Sequence, residues 1–302
     1  MSQQELNQII TQLQGLSWGN TPTEMRANFT MGLSMPPHPT AQVERVDVDG
    51  MAAELITHPN SRSDRIVLYL HGGGFIMGSL PAYRRLASDL AEAAGVSILV
   101  IDYRLAPEHP YPAGLEDALT AYHWLIHTRG FQPGQIAVTG DSAGGNLVLG
   151  LLLSLKDLGE LQPACVSLIS PYCDQMRTGA TMVSHAKKDL MVTAPLLDTI
   201  ADWYAPGKDL RSPLLSPLYA DLSGLPPLLI HVGAVEVLLD DALRLARQAG
   251  LADIPVTLKV WSDMIHCFHL FAPVLEEGRV AISEIGAFLT TGFEFNSMDT
   301  LA

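Results

Sequence analysis

Residues 135–146 read QIAVTGDSAGGN, and this short stretch constrains the fold more than any other part of the chain. Residues 136–139 have the pattern of a buried strand, and residues 143–158 that of a helix. Between them lies the pentapeptide Gly140-Asp141-Ser142-Ala143-Gly144, which matches G-x-S-x-G. In this strand–turn–helix context, the pattern predicts that Ser142 is a nucleophile on a sharp turn.

The turn explains the residue types around the serine. The residues two positions before and after it must be glycine, because larger side chains would clash across the turn. The helix that follows places its positive end near an oxyanion that forms at the serine. The alternative is a glycine-rich turn of a nucleotide-binding fold, which is disfavoured because no G-x-G-x-x-G follows the first parallel strand.

Outward from this turn, short apolar strands alternate with helices. This alternation predicts an α/β fold with a mostly parallel sheet of about eight strands and helices on both faces. The first two strands flank Asp49-Gly50, a hairpin signal, and are therefore expected to be antiparallel. The predicted strands cover residues 43–48, 51–57, 66–70, 96–102, 136–139, 166–170, 228–232 and 256–261, and the helices between them 83–94, 115–128 and 143–158.

One interval, residues 170–228, breaks the alternation because it contains no good strand. A structureless loop of that length is improbable, so the interval predicts an inserted helical cap, with helical patches at 179–188 and 194–204. An amphipathic helix at the N-terminus also lacks a place in the alternation and is assigned to the cap. The apolar positions of this helix are Leu6, Ile9, Ile10, Leu13 and Leu16. Residues 20–40, which follow it, contain Pro36, Pro37 and Pro39 and are expected to be irregular. The expected organisation is an N-terminal cap segment (1–42), a catalytic core (43–175 and 216–302) and inserted cap helices (176–215).

A glycine run closes the third strand in RIVLYLHGGGFIMG, residues 65–78. Three successive glycines let the backbone turn its N–H groups toward a ligand without obstruction by side chains. Together with the N–H of Ala143, directly after the serine, Gly73 and Gly74 are expected to form an oxyanion hole, with Gly72 shaping the turn. His71 is expected to orient this loop.

A serine nucleophile needs a base, and ten histidines compete for that role. His266 is favoured because it follows the last strand at the sheet edge where open α/β sheets build their sites. His269 is the alternative base, and His231, inside a strand, is expected to lie in the core. Glu236, just after the preceding strand, is favoured as the acid.

The alternative acid is Asp240, which, like Asp241, has the character of a helix-start residue. Asp141 is adjacent to the serine and is expected to hold neighbouring loops by hydrogen bonds instead of serving the base. The chain order Ser142, Glu236, His266 is the order found in α/β-hydrolases.

Composition excludes several classes of protein. The chain has 302 residues, 48% of them hydrophobic, which is enough for a large core. The net charge of −14 argues against a nucleic-acid partner. No apolar run reaches the roughly 18 residues that span a bilayer, and no signal peptide is evident. With three cysteines in no metal-binding spacing, the expectation is a cytoplasmic protein with reduced thiols.

The motifs together resemble the bacterial hormone-sensitive-lipase-like esterases (family IV carboxylesterases), a branch of the α/β-hydrolases. The resemblance rests on HGGG (71–74), DYRLAPEHPYPA (102–113), GDSAGG (140–145), G-x-x-E-V-L-x-D (233–240) and M-x-H-x-F (264–268). Two departures are that Glu236 stands where many relatives carry Asp, and that Cys267 replaces a residue that is often glycine.

The resemblance implies the α/β-hydrolase fold with a helical cap and a Ser-His-Glu triad that hydrolyses short- to medium-chain carboxylic esters without a cofactor. An amidase or lactone hydrolase could use the same site, and a non-catalytic ligand receptor on this scaffold is a remote alternative, since His266 is present. The late strand, residues 256–261, is a candidate for pairing between two copies of the chain. Candidate pocket-lining residues are Phe75, Met77, Tyr172, Met182, Met191 and Trp203.

Overall fold

The structure, a computed structural model, describes residues 3–15 and 18–299. Its strands are β1 (Gln42–Val48), β2 (Met51–Thr57), β3 (Arg62–Leu70), β4 (Val96–Ile101), β5 (Ile136–Asp141), β6 (Val166–Ile169), β7 (Leu228–Gly233) and β8 (Val256–Trp261). They form one sheet in the order β1-β2-β4-β3-β5-β6-β7-β8. The pairs β1–β2 and β2–β4 are antiparallel and all other neighbours are parallel. The predicted eight-stranded, mostly parallel sheet is confirmed.

The sheet is sandwiched between helices. These are α1 (Gln3–Gln14), α2 (Pro22–Leu33), α3 (Leu80–Ala94), α4 (Ala113–His127), α5 (Ala143–Leu158), α6 (Thr181–Ser184), α7 (Ala194–Tyr204), α8 (Leu239–Leu251) and α9 (Glu276–Asp299). Helices α3 and α9 pack against each other, as do α4 and α5. Every residue of β5, β6 and β7 is buried, as expected for strands that are covered on both faces.

Helix α2 lies where the sequence predicted irregular chain, so the prediction for residues 22–33 was wrong. Thr21 and Glu24 form a capping box, in which the Thr21 hydroxyl accepts from the Glu24 N–H (3.2 Å) and Glu24 Oε2 accepts from the Thr21 N–H (3.2 Å). Met25, Phe29 and Leu33 then recur every four residues and are buried. Pro36, Pro37 and Pro39, which suggested an irregular segment, all lie after the helix. Pro22 is at its first position, where proline is tolerated.

The interval between β6 and β7 contains helices and loops but no strand, as predicted. Helix α7 covers the predicted range, whereas the predicted helix 179–188 shrinks to α6. In the N-terminal helix, Leu6, Ile9 and Leu13 are buried, and Leu16 lies outside the described residues. Among the described helices, none has the length and hydrophobicity to cross a membrane. All three cysteines are free and buried.

Candidate active site

Ser142 occupies a strained turn between β5 and α5, with φ 52° and ψ −118°. Two close contacts explain why the residues two positions before and after Ser142 are glycine. A Cβ on Gly140 would lie 2.7 Å from the carbonyl of Gly144, and one on Gly144 would collide with the carbonyl oxygen of Leu70. The Ser142 N–H donates to the Ile169 carbonyl (2.8 Å), which holds the turn against β6.

Three side chains from distant parts of the chain meet at this turn. His266 Nε2 lies 3.0 Å from Ser142 Oγ, and His266 Nδ1 lies 2.8 Å from Glu236 Oε2. Glu236 and His266 follow β7 and β8, so both stand beyond the carboxyl ends of parallel strands. Glu236 is fully buried and His266 is 5% exposed. The arrangement is a continuous hydrogen-bonded relay from the hydroxyl to the carboxylate.

The second carboxylate oxygen of Glu236 is also held. Glu236 Oε1 accepts from the Ser170 hydroxyl (2.6 Å) and from the Gly233 N–H (2.5 Å). Ser170 Oγ in turn accepts from the Cys267 N–H (3.2 Å), next to His266. Ser170 is not among the site residues that the sequence predicted. Its position directly after β6, at the same edge of the sheet, was the available signal.

The glycine loop after β3 offers backbone donors to the same place. Gly73 (φ 109°) and Gly74 (φ 63°) adopt conformations that favour glycine, and their N–H groups donate to no protein acceptor in the part of the chain that the structure describes. Ala143 is the first residue of α5. Gly72 differs from these donors, since its N–H donates to Asp141 Oδ1 (2.8 Å) and is therefore not free for a substrate oxygen.

Asp141 joins the loop to the turn, and its predicted holding role is confirmed. Besides the Gly72 N–H, it accepts from the hydroxyls of Tyr69 (2.8 Å) and Tyr83 (2.9 Å). Burial works to raise the pKa of Asp141 and these hydrogen bonds work to lower it, with a net raised value. Asp141 therefore fixes the spacing between the glycine loop and Ser142.

Similarity to known proteins identifies the family to which the chain belongs. Residues 67–270 match the family model described as alpha/beta hydrolase fold. The chain belongs to the α/β-hydrolase family. An acetyl-hydrolase from Streptomyces hygroscopicus is 40% identical over 293 residues, which cover 94% of this chain and 96% of that protein.

Two further relatives are esterases. An esterase from Acinetobacter venetianus is 36% identical over 261 residues, covering 85% of this chain and 84% of that protein. The crystal structure of an esterase from the bacterial hormone-sensitive lipase family superposes with a TM-score of 0.93 at 43% identity, covering 97% of this chain and 99% of that one. The resemblance seen in the motifs is thus confirmed over nearly the whole chain.

The histidines of this α/β-hydrolase differ in their environments. Burial works to lower the pKa of His266, but the charge and hydrogen bond of Glu236, together with the charges of Asp189 and Asp141, outweigh it, so the pKa is raised above its ordinary 6.5. Burial lowers the pKa of His71 to about 4, and His71 Nδ1–H donates to the Gly72 carbonyl (2.8 Å). His71 is packed between the rings of Tyr83 and Tyr103, where it supports the loop as a neutral ring.

The alternative base and acid lie elsewhere in the hydrolase. His269 Nε2 lies 3.3 Å from His231 Nδ1, and both rings are buried in the core. Burial lowers the pKa of His231 to about 3 and that of His269 well below the ordinary value. Asp240 Oδ2 accepts from the Ala180 N–H (2.9 Å), so it anchors the loop before α6 and not His266.

A cavity of about 50 Å³ lies over Ser142 and His266. Of the six predicted lining residues, Met77, Tyr172 and Met191 form part of its wall, and Phe75, Met182 and Trp203 do not. Phe75 stacks on Tyr204 with ring centroids 3.8 Å apart and belongs to the core, whereas Met182 and Trp203 are half-buried outside the cavity. The wall also includes Trp18, Phe29, Tyr83, Val192, Leu196, Leu197, Ile200, Leu238, Cys267 and Leu270.

Six of the wall residues that the sequence did not predict come from two segments. Trp18 and Phe29 lie before β1, and Val192, Leu196, Leu197 and Ile200 lie in the insertion. Phe29 had no signal because helix α2 was not expected. The insertion residues fall on the predicted helix 194–204 or just before it, but a single sequence does not tell which face of that helix meets the site.

Proposed function

We propose that this chain is a serine carboxylesterase that hydrolyses short- to medium-chain carboxylic esters through an acyl-enzyme. The observation that carries the proposal is the relay from Ser142 Oγ through His266 to Glu236, with distances of 3.0 and 2.8 Å, at the floor of an apolar cavity. Relatives named esterase and acetyl-hydrolase support an ester as the substrate class.

In the proposed mechanism, Ser142 Oγ attacks the ester carbonyl while His266 Nε2 takes the hydroxyl proton. His266 then returns that proton to the leaving alcohol, and water attacks the acyl-enzyme by the same route. Glu236 holds His266 in the tautomer with the proton on Nδ1 and stabilises the imidazolium that forms. The proposed reaction needs no cofactor, because the chain's own groups supply nucleophile, base and acid.

The tetrahedral intermediate places a negative oxygen opposite His266. The N–H groups of Gly73, Gly74 and Ala143 are the proposed donors to this oxygen, since Gly72 is engaged with Asp141. The N-terminal end of α5 adds its positive partial charge at the same point. Loss of one such donor typically lowers turnover by about 10²- to 10³-fold.

We further propose that residues 1–42 and 176–215 act as a cap that sets substrate size. Both segments contribute apolar side chains to the cavity wall, including Phe29 on α2 and Ile200 on α7. The cavity is small, at about 50 Å³. Short acyl groups therefore require the least movement of the cap, and longer ones require its helices to shift.

The proposal is tested by replacing the nucleophile. Ser142→Ala should lower kcat/KM for p-nitrophenyl butyrate by at least about 10³-fold, because no other group takes over the attack. Circular dichroism and the thermal midpoint should remain near those of the parent. Ser154→Ala is the matched control and should keep full activity, because Ser154 lies on the same helix, is half-buried and donates its hydroxyl to the Gly150 carbonyl (2.8 Å).

Retained activity in Ser142→Ala would refute the proposal. A parallel panel of ester, lactone and anilide substrates separates carboxylesterase from lactone hydrolase and amidase, which the same relay could serve. Preference for the lactone or the anilide over acyclic esters would replace the proposed substrate class while leaving the nucleophile in place.

A further inference from the structure

A second cluster of chemically active side chains lies near the C-terminal end of α3. His38 lies between α2 and β1, His58 follows β2, and Glu92 is in the last turn of α3. One ring nitrogen of each histidine and one Glu92 oxygen all lie within 4.8 Å of one another. His38 Nε2 and Glu92 Oε2 are 3.0 Å apart. Ligands of a tetrahedral zinc ion with bonds near 2.0–2.1 Å stand about 3.4 Å apart, so only small side-chain rotations are needed.

The hydrogen bonds of His58 Nε2 and His38 Nδ1 resemble those that orient histidine ligands around a metal ion. His58 Nε2–H donates to the Ser88 carbonyl (2.9 Å), and His38 Nδ1 lies 3.0 Å from Thr40 Oγ1. Histidines that bind metals usually donate their second N–H to a carbonyl or another oxygen, which fixes the ring. The remaining two nitrogens also have partners: His58 Nδ1 lies 2.9 Å from Thr40 Oγ1, and His38 Nε2 lies 3.0 Å from Glu92 Oε2. An ion bound to these two nitrogens would take the place of these two contacts.

The hydroxyl of Thr40 lies between the two rings, with Oγ1 3.0 Å from His38 Nδ1 and 2.9 Å from His58 Nδ1. A hydroxyl can donate to one ring nitrogen while it accepts from the other. A bound ion would replace the contact at His58 Nδ1 and leave the one at His38 Nδ1, which then fixes the orientation of the His38 ring.

We propose that His38, His58 and Glu92 bind a divalent transition-metal ion of the Zn²⁺ type. Two imidazole nitrogens and one carboxylate oxygen are ligands that such ions prefer over Mg²⁺ or Ca²⁺. His38 and Glu92 also line an open surface groove of about 460 Å³, which gives the ion an entry path and room for water ligands. Asp89, in the same groove, is paired with Arg85 (2.9 Å) and is not counted as a ligand.

The structure also indicates what the ion does. It ties the segment after α2 to α3 and to the turn after β2, and α2 carries Phe29 of the active-site cavity. The site lies near the C-terminal end of α3, whose length of 15 residues corresponds to about 20 Å, whereas the glycine loop precedes its N-terminal end. The ion therefore stabilises the N-terminal segment and takes no part in ester hydrolysis.

The experiment is a titration of the chelator-treated, full-length protein with ZnCl₂ by calorimetry at pH 7.5, with the thermal midpoint measured alongside. The wild type should bind one Zn²⁺ and gain several degrees in thermal midpoint. His38→Ala and Glu92→Gln should each weaken binding by at least about tenfold and remove most of that gain. Co²⁺ gives a direct readout, because its visible absorption should appear in the wild type and be lost in His38→Ala.

His123→Ala is the matched control. His123 is half-buried, as His38 is, and lies against a carboxylate, with Nε2 2.8 Å from Glu160. Its ring neighbours that of His127. This variant should bind Zn²⁺ like the wild type. The proposal is overturned if the wild type does not bind, if His38→Ala and Glu92→Gln bind as tightly as the wild type, or if only His123→Ala loses binding. Esterase activity at saturating Zn²⁺ should be equal in the wild type and in His38→Ala. Any inhibition by Zn²⁺ that both proteins share then comes from binding elsewhere, for example at His266, and not from the His38–His58–Glu92 site.

Discussion

At the scale of single residues, the arrangement around Glu236 shows how one carboxylate serves two purposes. Oε1 is occupied by the Ser170 hydroxyl and the Gly233 N–H, and Oε2 faces His266 Nδ1. The carboxylate therefore cannot rotate without losing bonds in a fully buried place. The extra methylene of Glu relative to Asp is accommodated without loss of contact to the imidazole.

This geometry predicts the effect of Glu236→Gln. A glutamine carbonyl must take the place of Oε1, because both neighbours there are donors, so its NH₂ faces His266 Nδ1. The imidazole then carries its proton on Nε2 and cannot accept one from Ser142, and kcat/KM for p-nitrophenyl acetate should fall by about 10³- to 10⁴-fold. Asp240→Asn is the control and should retain activity within a few-fold, since Asp240 bonds to Ala180. Equal losses in both variants would contradict the assignment.

The raised pKa of His266 predicts the acid side of the pH profile. The base must be neutral to accept the serine proton, so activity falls as the pH drops through its pKa. Because Glu236, with smaller contributions from Asp189 and Asp141, outweighs burial and raises that pKa, the midpoint of kcat/KM should lie above the ordinary 6.5. In Glu236→Gln the residual activity should have its midpoint at lower pH, since the raising charge is gone. A wild-type midpoint below 6 would contradict this reasoning.

At the scale of elements, α7 is the part of the insertion that meets the glycine loop. A Cβ on Gly74 would lie 2.9 Å from Ile200 Cγ1, and Ile200 is 3% exposed. The helix begins at a Thr193 cap with proline in its first turn, and it buries Leu197, Ile200 and Tyr204. Its position therefore fixes one wall of the cavity.

Ile200→Ala should widen the cavity toward longer acyl chains. The ratio of kcat/KM for p-nitrophenyl octanoate to that for the acetate should rise several-fold, while stability falls by about 2–3 kcal/mol. Ile285→Ala, buried on α9 and outside the cavity wall, should cost similar stability in urea unfolding without changing that ratio. If the ratio changes equally in both variants, loosening of the fold, and not the shape of the cavity, determines the preference for longer acyl chains.

At the scale of the whole molecule, the sheet ends in two unpaired edges, β1 and β8. Strand β8 is only partly buried, and Val260 on it is 40% exposed. An exposed edge strand is a template for pairing with another chain, in line with the prediction from the sequence that two copies pair through residues 256–261. The net charge of −14 on each copy opposes this association, and salt screens the repulsion.

Light scattering after size exclusion should therefore give a mass of twice 32.6 kDa, with a larger dimer fraction at higher salt. Val260→Asp should shift the protein to the monomer, because it adds a charge at the paired edge. Thr120→Asp, which places the same charge on α4 away from β8, is the control and should leave the dimer intact. A wild type that is monomeric at all salt concentrations would contradict the prediction that two copies pair through β8.

Local sequence determined most of the fold. The strand positions, the elbow at Ser142, the glycine loop and the strand-free insertion all follow from periodicity and from glycine, whose signals act within a few residues. Helix α2 was missed because its capping box and its four-residue apolar repeat lie next to a cluster of prolines that suggested a loop. The predicted helix 179–188 shrank to α6 because the chain beyond Ser184 continues in turns, in which the Lys188 N–H donates to the His185 carbonyl three residues earlier (2.8 Å).

Only the tertiary structure decided the contacts and distances between residues that are far apart in the chain. The sequence indicated Ser142, Glu236 and His266 by their positions after strands, but their distances, the bonds of Ser170 and the engagement of the Gly72 N–H depend on the packing of β3 and β5–β8 side by side. The cavity wall depends likewise on which faces of α2 and α7 turn inward, and the His38–His58–Glu92 cluster joins three segments that no local pattern connects. Periodicity reports which residues are buried, whereas the choice of partner is set by the three-dimensional path of the chain.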